Sequence, residues 1–389
     1  MLSCAIVGLP NVGKSTLFNA LLKKQLALAA NYPFATIEPN VGVAEVPDER
    51  LAVLAQIVAK AEISPAANLS NATASSPSSQ AKDNNFPPIK PAVVEFVDVA
   101  GLVRGASKGE GLGNQFLAHI RETNSICHVL RAFSDESILR EGSISPKEDL
   151  ATIRTELQLA DLATLDKQKE PKGAAGKEEK MRWQIIQKFK EKLEKGINII
   201  SEQSSQNLSE EEANLAKELC LLTAKKEIFV INVDEEELKN QAAIIKQYVE
   251  ELDVRAAQIV VVSAKIESEL AVLAEEDQLL YLQDLGLKES GLERLAKVAY
   301  QTLALQSFLT AGEKEVRAWT IKKGSTAVQA AAVIHNDFEK NFIKAKVVSF
   351  DDFVSLGGWP GAKAKGKLRL EGRDYVMQEG DVVEFMVGK

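Results

Sequence analysis

The segment from Gly8 to Ser15 reads Gly-Leu-Pro-Asn-Val-Gly-Lys-Ser, which is the spacing of a phosphate-binding P-loop. Glycines let the backbone fold closely around an anion, so that successive N–H groups point at a phosphate. The Lys14 ammonium would then reach the β- and γ-phosphate oxygens, and the Ser15 hydroxyl would bind Mg²⁺. The alternative is a plain glycine turn between a strand and a helix. Because several positions of the motif are restricted to one or two residue types, the match favours nucleotide binding over a plain turn.

A P-loop has to lie between a buried strand and the start of a helix, and both flanks fit. The apolar run 3–7 precedes the loop and predicts a buried strand. Residues 16–22 follow with the pattern of a helix start, whose positive end would face the phosphate. The sequence therefore predicts strand, phosphate loop and helix in the required order.

A second candidate for phosphate chemistry is the loop of residues 31–40, which has two prolines and no helical period. Thr36 is placed there as in the first switch loop of P-loop GTPases. Its hydroxyl and backbone N–H would close on Mg²⁺ and the γ-phosphate. The alternative is a surface threonine beside a proline turn.

The third phosphate-side element is an Asp-x-x-Gly at the end of the apolar strand 92–97. Asp98 would reach Mg²⁺ through water, and the Gly101 N–H would meet the γ-phosphate. Leu102 stands where Ras-like GTPases carry the glutamine that orients the attacking water, and a leucine cannot do this. His119 and His128 follow, and each either approaches the γ-phosphate or is satisfied locally.

Two later strands end in residues that suit a nucleotide base. Residues 228–231 run into Asn232-Val233-Asp234-Glu235, and residues 258–262 run into Ser263-Ala264-Lys265. Such strand ends meet at the carboxyl edge of a parallel sheet, where α/β folds bind nucleotides. Their order along the chain is that of a small GTPase domain. Because Val233 replaces the lysine and Glu235 lengthens the acid of the guanine-reading Asn-Lys-x-Asp, we expect ATP to be preferred over GTP.

Residues 147–225 have a helical period. Apolar residues at 150, 153 and 157, and again from 185 to 193, indicate two amphipathic helices on either side of a flexible tip at 169–176. A capping box, Ser209-x-x-Glu212, opens a third helix. The pattern predicts either a protruding antiparallel hairpin or a buried helical subdomain, inserted into the nucleotide domain.

Two further segments are distinctive. Residues 62–91 are rich in Ser, Pro and Ala and poor in large apolar groups, which predicts a mobile insertion. The C-terminal part has strand-like runs at 316–321 and 382–387 and a helix opened by Ser325 or Thr326. If extended, Lys363, Lys365, Lys367 and Arg369 would present four cations on one face, either for a phosphate backbone or as protection of an edge strand.

Length and composition bound the remaining possibilities. A chain of 389 residues is expected to divide into two or three domains, and 45% hydrophobic with 26% charged residues is ordinary for a globular protein. We expect a cytoplasmic protein without a signal peptide or membrane span. The three cysteines, each in an apolar run, are expected in the core. The net charge of −8 is uneven, because residues 311–389 carry 13 Lys and Arg against 11 Asp and Glu. Any contact with an anionic partner is therefore expected at that end.

These stretches together resemble the YchF subfamily of Obg-related P-loop ATPases, of the TRAFAC class. The resemblance covers nearly the whole chain and is closest at residues 8–16, 31–40, 98–115 and 314–320. Residues 334–338 and 371–375 are similar to the C-terminal TGS domain of that family. The insertion at 62–91 and the histidine at 119 depart from the pattern.

The resemblance implies an α/β fold: a P-loop NTPase domain with a parallel-type sheet (1–135 and 226–303), an inserted helical coiled-coil hairpin (136–225) and a β-grasp TGS domain (304–389). It implies a monomeric, ribosome-linked ATPase that contacts ribosome or ribosomal RNA through the last two domains and no membrane. Catalysis would involve Lys14, Gly101 and His128, with Mg²⁺ on Ser15, Thr36 and Asp98. Asn11 could hold K⁺. The nucleotide would be bound by Asn11, Val12, Gly13, Lys14, Ser15, Thr16, Asn232, Val233, Glu235, Ser263 and Ala264.

Overall fold

The computed structural model describes residues 2–31, 40–63, 86–99, 112–134, 145–172, 176–200 and 208–388. These residues belong to two compact units, one of residues 1–44 and 94–303 and the other of residues 45–93 and 304–389. Three residues of the predicted phosphate-side loops, Thr36, Gly101 and Leu102, lie outside the described ranges.

The first unit is built on a six-stranded sheet with the strand order β2-β4-β1-β5-β6-β7. The pairings of β4 with β1, β1 with β5, β5 with β6 and β6 with β7 are all parallel. The strands are β1 Ser3–Val7, β2 Val41–Val46, β4 Ala92–Asp98, β5 Ser125–Arg131, β6 Lys226–Asn232 and β7 Ile259–Val262. β3, Ile89–Lys90, belongs to the other sheet.

The central strands are buried on both faces, in agreement with their largely apolar sequences. Every residue of β5 and β7 is buried, and so is β1 from Cys4 onward. Parallel sheets need helices on both faces, since no face can be left in water. The helices of this unit are α1 Lys14–Asn31, α3 Leu112–Glu122, α4 Pro146–Asp166, α5 Lys177–Glu194, α6 Glu210–Glu218, α7 Gln241–Leu252, α8 Ala264–Leu270, α9 Glu275–Asp284 and α10 Gly291–Thr302. The predicted α/β fold with a parallel sheet is confirmed.

The predicted helical region contains α4, α5 and α6, which share a core of their own. Phe189 and Leu193 of α5 pack there with Leu165 of α4 and Leu215 of α6. The predicted capping box is present: the Ser209 hydroxyl accepts from the Glu212 N–H, and the Glu212 carboxylate accepts from the Ser209 N–H. The three predicted helices therefore form, and they bury a shared apolar surface.

The second unit has a six-stranded sheet of order β11-β10-β12-β8-β9-β3. Phe308, Ile321 and Val347 are among the residues of its core. The predicted strands at 316–321 and 382–387 form, and Thr326 is the N-cap of the predicted helix. The elements are α2 Arg50–Ile63, β3, β8 Leu305–Ala311, β9 Val316–Lys322, α11 Ala327–Ile334, α12 Asn336–Lys340, β10 Phe342–Val348, α13 Phe350–Ser355, α14 Trp359–Ala364, β11 Arg369–Glu371 and β12 Val382–Val387.

The structure describes both ends of the segment that was predicted to be an insertion at 62–91. Its first residues end α2, which runs to Ile63. Near its other end, Ile89 and Lys90 pair in parallel with Val316 and Arg317 of β9. A two-residue strand carries no local signal of its own, and its partner lies far away along the chain. Residues 64–85 are outside the described part.

The four cations at 363–369 do not form an extended strand. Lys363 lies in α14, Lys365 ends that helix, and only Arg369 is in a strand. Lys367 contacts Asp352 at 3.3 Å, and Arg369 contacts Asp381 at 3.4 Å. Two of the four charges therefore have acidic partners within the unit.

One cysteine prediction is wrong. Cys4 and Cys127 are buried as predicted, but Cys220 is exposed. Its backbone has a left-handed φ of 50° just after α6 ends, so the chain turns there and its side chain does not follow the buried face of the helix.

Candidate functional site

The phosphate loop lies between the end of β1 and the start of α1, and two of its glycines have no room for a side chain. A Cβ on Gly8 would lie 2.8 Å from the Val12 Cγ2 atom and 2.9 Å from the Val129 carbonyl oxygen. Gly13 has a φ of +94°, and a Cβ there would lie 2.2 Å from the Asn232 Nδ2 atom. The loop thus takes a conformation that only glycine permits at these positions.

Lys14, the first residue of α1, is buried, and its ammonium contacts the Asp98 carboxylate. Asp98 is the last residue of β4, which pairs directly with β1. The Asp98 N–H donates to the Asn40 carbonyl oxygen at 2.9 Å, which fixes this strand end. The structure therefore brings together the predicted phosphate-binding cation and the predicted Mg²⁺-side acid.

Asn232 holds the site together through both ends of its amide. Its Nδ2 donates to the Val12 carbonyl oxygen at 2.9 Å, and its Oδ1 accepts from the Ala264 N–H at 2.9 Å. One side chain thus links the phosphate loop to the turn between β7 and α8. Because each polar atom of the amide makes one of these bonds, Asn232 positions the loop. The amide still has a second N–H and a second oxygen lone pair, so its contact with a base stays a prediction.

The residues after Asn232 are divided between the core and the surface. Val233 is 3% exposed and packs in the core with Leu130 and Val261, while its N–H donates to the Val262 carbonyl oxygen. Its side chain is therefore turned away from any base that would take the predicted position. Glu235 is exposed and begins a 3₁₀ helix. Ser263 and Ala264 are buried at the neighbouring strand end.

Asp234 makes a contact that the sequence does not predict. Its carboxylate accepts from the Ser134 N–H at 3.0 Å and from the Ser134 hydroxyl at 2.9 Å. Ser134 follows β5, so this contact ties the loop after β5 to the loop after β6. The only available signal was a carboxylate two residues after the strand-end asparagine.

His128 is fully buried in β5, and its contacts lie on the face of the sheet that α4 covers. Its Nε2 lies 2.9 Å from Glu227 Oε1, and its ring stacks on Phe229 at 5.4 Å. Arg154 of α4 donates to the other Glu227 oxygen at 2.7 Å. The described contacts of His128 therefore belong to a buried charge cluster, and its catalytic role stays a prediction.

Burial in this cluster raises the pKa of the Glu227 carboxyl, but the hydrogen bond from His128 and the charge of Arg154 outweigh it. The net result is that the pKa of Glu227 falls to about 2. Glu227 is thus a carboxylate at neutral pH, and the His128 Nε2 must carry the proton that it accepts.

The remaining predicted residues have mixed outcomes. Ser15 and Thr16 are exposed at the start of α1, where a ligand could reach them, and Asn11 is exposed with a φ of 62°. His119 is exposed on α3. Within the described ranges, no group of three or more His, Cys, Asp or Glu side chains could hold a metal ion by itself. A cation here would instead need a hydroxyl, a single acid and oxygens from a ligand.

The arrangement as a whole is a binding site for a phosphorylated ligand. The backbone of the phosphate loop, the positive end of an 18-residue helix and the Lys14 ammonium lie together at the carboxyl edge of a parallel sheet. A separate cavity of about 650 Å³ lies in the same unit between Arg154, Asn198 and Gln258. It adjoins the start of β6, the end of that strand opposite to Asn232. No helix among the described residues is long and apolar enough to span a membrane.

Known proteins similar to this chain were found over nearly its full length. A family model described as "50S ribosome-binding GTPase" matches residues 3–160, and YchF-GTPase_C, described as "Protein of unknown function (DUF933)", matches residues 305–388. The "Ribosome-binding ATPase YchF" of Bacillus subtilis is 44% identical over 99% of this chain and 98% of its own length. That of Haemophilus influenzae is 46% identical over 98% of each. A structure described as that of the Schizosaccharomyces pombe YchF GTPase is 34% identical with a TM-score of 0.80, covering 99% of this chain and 97% of that one.

Proposed function

This chain belongs to the YchF family, and from that membership we propose that it is a ribosome-associated ATPase that binds ATP with Mg²⁺ and hydrolyses it slowly. Its conformation would depend on the bound nucleotide. Relatives of two genera are named ribosome-binding ATPases, and each is covered from end to end by this chain. A ribosomal partner implies a cytoplasmic protein.

The observation that carries the proposal is the meeting of Lys14, Asp98 and Asn232 at one edge of the sheet. Asp98 and Asn232 are the last residues of β4 and β6, Lys14 is the first residue of α1, and Asn232 fixes the loop that leads to Lys14. A glycine turn without a ligand would need neither a buried lysine nor a clamp on its backbone. The geometry supports binding of a triphosphate by the Lys14 ammonium and the loop N–H groups.

The residues present fit a Mg²⁺ ion that is held jointly with the nucleotide. Ser15 is exposed beside Lys14, and the Asp98 carboxylate lies against the same lysine. Ser15 would supply a hydroxyl, Asp98 would act through water, and Thr36 would complete the set when its loop closes. When bound, the ion would offset the negative charge of the β- and γ-phosphates.

Slow hydrolysis follows from the residues after Asp98. Leu102 has no group that can orient a water, and His128 is held by Glu227 in the described structure. Lys14 and the Gly101 N–H would stabilise charge on the γ-phosphate, but the attacking water would be poorly positioned. We propose that the ribosome causes this water to be positioned correctly.

A preference for ATP is supported by the residues beyond Asn232. In the guanine-reading motif, a lysine stem stacks on the base and an aspartate accepts from guanine N1–H and its amino group. Here the Val233 side chain is in the core, and Glu235 is an exposed, longer acid. Losing one charge-assisted contact costs guanine about 1.5–3 kcal/mol, or roughly ten- to a hundredfold in affinity.

The test is competition of unlabelled ATP and GTP against one fluorescent nucleotide, followed by single-turnover hydrolysis with and without purified ribosomes. We expect ATP to compete at lower concentration, and ribosomes to raise the hydrolysis rate. Glu235→Asp, which restores the aspartate of the guanine-reading motif at an exposed position, is the specificity control and should move the preference toward GTP. Tighter binding of GTP by the natural sequence would contradict the proposed specificity.

A GTPase of the same architecture is the second candidate, because the family model at 3–160 and the fission yeast structure carry that description. The competition experiment distinguishes the two. A third possibility is a nucleotide-sensing module whose hydrolysis is incidental, which Leu102 favours. It would show tight binding with a rate that ribosomes do not change.

Potassium is a proposed activator. Asn11 lies in the phosphate loop with a left-handed φ of 62°, and it is exposed. An amide oxygen there suits a monovalent cation near the phosphates. Hydrolysis should be faster in potassium than in sodium at equal ionic strength, and Asn11→Ala should remove the difference.

A further inference from the structure

Helix α9 and the turn before it expose a run of large apolar side chains. Val272 is 67% exposed, Leu279 58% and Leu280 61%, and Leu273 is also exposed. Single exposed apolar residues are normal on protein surfaces, but four within nine residues are a local concentration. Leu279 and Leu280 lie between Glu276 and Gln283 on one stripe of the helix, at spacings of three and four. We call Val272, Leu273, Leu279 and Leu280 the α9 face.

The opposite side of α9 is firmly packed. Leu282 and Leu285 belong to the same core as Val233 and Leu238, which follow the end of β6. The Tyr281 hydroxyl donates to the Glu269 carboxylate at 2.8 Å, and the Gln278 amide donates to the Leu273 carbonyl oxygen at 2.9 Å. The helix is therefore fixed in place, and its exposed leucines are not the result of a loose end.

Acidic side chains surround the α9 face. Glu269, Glu275, Glu276, Asp277 and Asp284 are all exposed, and residues 268–286 contain no Lys, Arg or His. Such a field repels nucleic acids and anionic membrane surfaces. It also opposes pairing of the face with a second copy of itself, because like charges would then be juxtaposed. The partner that fits the α9 face is therefore one with apolar side chains flanked by cations.

We propose that the α9 face docks a basic amphipathic segment of a partner protein, whose leucine-like side chains cover Leu279 and Leu280 while its Lys and Arg residues meet the acidic rim. The segment would bind as an amphipathic helix does on an apolar surface. Because Leu282 and Leu285 of α9 pack in the same core as Val233, such a partner would bind to the unit that holds the nucleotide site. The proposal does not depend on hydrolysis and is tested without nucleotide.

The probe is a fluorescein-labelled 18-residue helical peptide with leucines at positions i, i+3, i+4 and i+7 and lysines elsewhere, titrated with the full chain while anisotropy is measured. A peptide of equal charge with serines in place of leucines is the control ligand. Leu279→Ser with Leu280→Ser should weaken binding about tenfold or more, since two apolar contacts are lost. Both leucines are exposed, so the thermal midpoint should stay near that of the natural chain.

The matched control is Ile343→Ser, an equally exposed apolar residue in the second unit, which should bind the probe unchanged. Glu275→Lys with Glu276→Lys should weaken binding and flatten its salt dependence. A 20-base-pair RNA duplex should not displace the probe. The proposal is overturned if the leucine variant binds as tightly as the natural chain, if the serine peptide binds equally well, or if RNA competes.

Discussion

Lys14 shows at the residue scale how the site is prepared for its ligand. Its ammonium is buried against Asp98, so the fold gives this buried cation an acidic partner. A triphosphate with its magnesium would take over both groups at once, Lys14 through the phosphates and Asp98 through the ion's water. Binding is then an exchange of charge partners, which avoids leaving a charge alone in a buried position.

Lys14→Ala should lower the affinity for ATP by about ten- to a hundredfold or more, because a charge-assisted contact to the phosphates is lost. Calorimetric titration with Mg²⁺ and ATP measures this directly. Lys23→Ala is the matched control, since Lys23 is an exposed lysine on the same helix. An unchanged affinity in Lys14→Ala would remove that residue from the site.

Glu227 makes a pH-dependent contribution to stability. Its pKa is lowered to about 2 in the folded chain, against an ordinary value of 4.5. A carboxyl with a depressed pKa stabilises the fold above its unfolded pKa and loses that contribution as pH falls through the folded pKa. The contribution of Glu227, of the order of 3 kcal/mol, should therefore disappear between about pH 4.5 and pH 2.

Thermal unfolding of the natural chain and of Glu227→Gln over this pH range checks the expectation. The variant should be less stable at pH 7, and the difference between the two should shrink as pH falls. The comparison isolates one carboxyl, because all other acids titrate in both proteins. Parallel curves would show that the contacts with His128 and Arg154 contribute nothing.

At the scale of elements, a single buried acid joins the helical region to the sheet. Asp161 of α4 accepts from the Leu222 N–H at 2.9 Å, and from the N–H and hydroxyl of Thr223 at 2.8 and 2.7 Å. Leu222 and Thr223 form a 3₁₀ turn that leads directly into β6. The carboxylate caps this turn and so sets where the strand that ends in Asn232 begins.

Asp161→Asn should destabilise the chain by about 1–3 kcal/mol, because an amide can accept at only one of the two oxygen positions and leaves a buried donor unpaired. Asp166→Asn on the same helix is the control, since Asp166 is largely exposed and its contact with Lys190 should contribute under about 1 kcal/mol. Urea midpoints of the two variants give the comparison. Equal midpoints would mean that the hydrogen bonds of Asp161 to the 3₁₀ turn do not stabilise the chain.

At the scale of the whole molecule, charge is distributed unevenly along the chain. Residues 311–389 carry 13 basic against 11 acidic residues, although the chain has a net charge of −8. In the C-terminal unit, Lys363 and Lys365 lie at the end of α14, whereas Lys367 and Arg369 have acidic partners. Lys363 and Lys365 are both exposed and are the best candidates in this group for contacting ribosomal RNA.

Lys363→Glu with Lys365→Glu should weaken co-sedimentation with purified ribosomes and flatten its dependence on salt, since fewer counterions are released on binding. Ile343→Ser in the same unit is a neutral surface control. If the salt slope does not change, these lysines do not contact a phosphate backbone, and protection of the neighbouring edge strand remains as their role.

Much of this protein was readable from the sequence because its signals are local. Features that depend on neighbouring residues were predicted and are present in the structure. They are the P-loop, the strand that ends in Asp98, the capping box of α6 and the apolar strands. Spacing along the chain fixes such features, since a glycine or a strand end acts on the backbone next to it.

Tertiary structure decided what distant side chains do. Four features depend on residues that are far apart in sequence. They are the hydrogen bond from Asn232 to Val12, the packing of Val233 in the core, the contact of Glu227 with His128 and the pairing of β3 with β9. No local pattern distinguishes a base-contacting residue from one turned into the core, because the direction of a side chain after a strand depends on which helices cover that sheet. The tertiary structure thus determines which side chains contact each other, while the sequence determines which chemical groups those side chains carry.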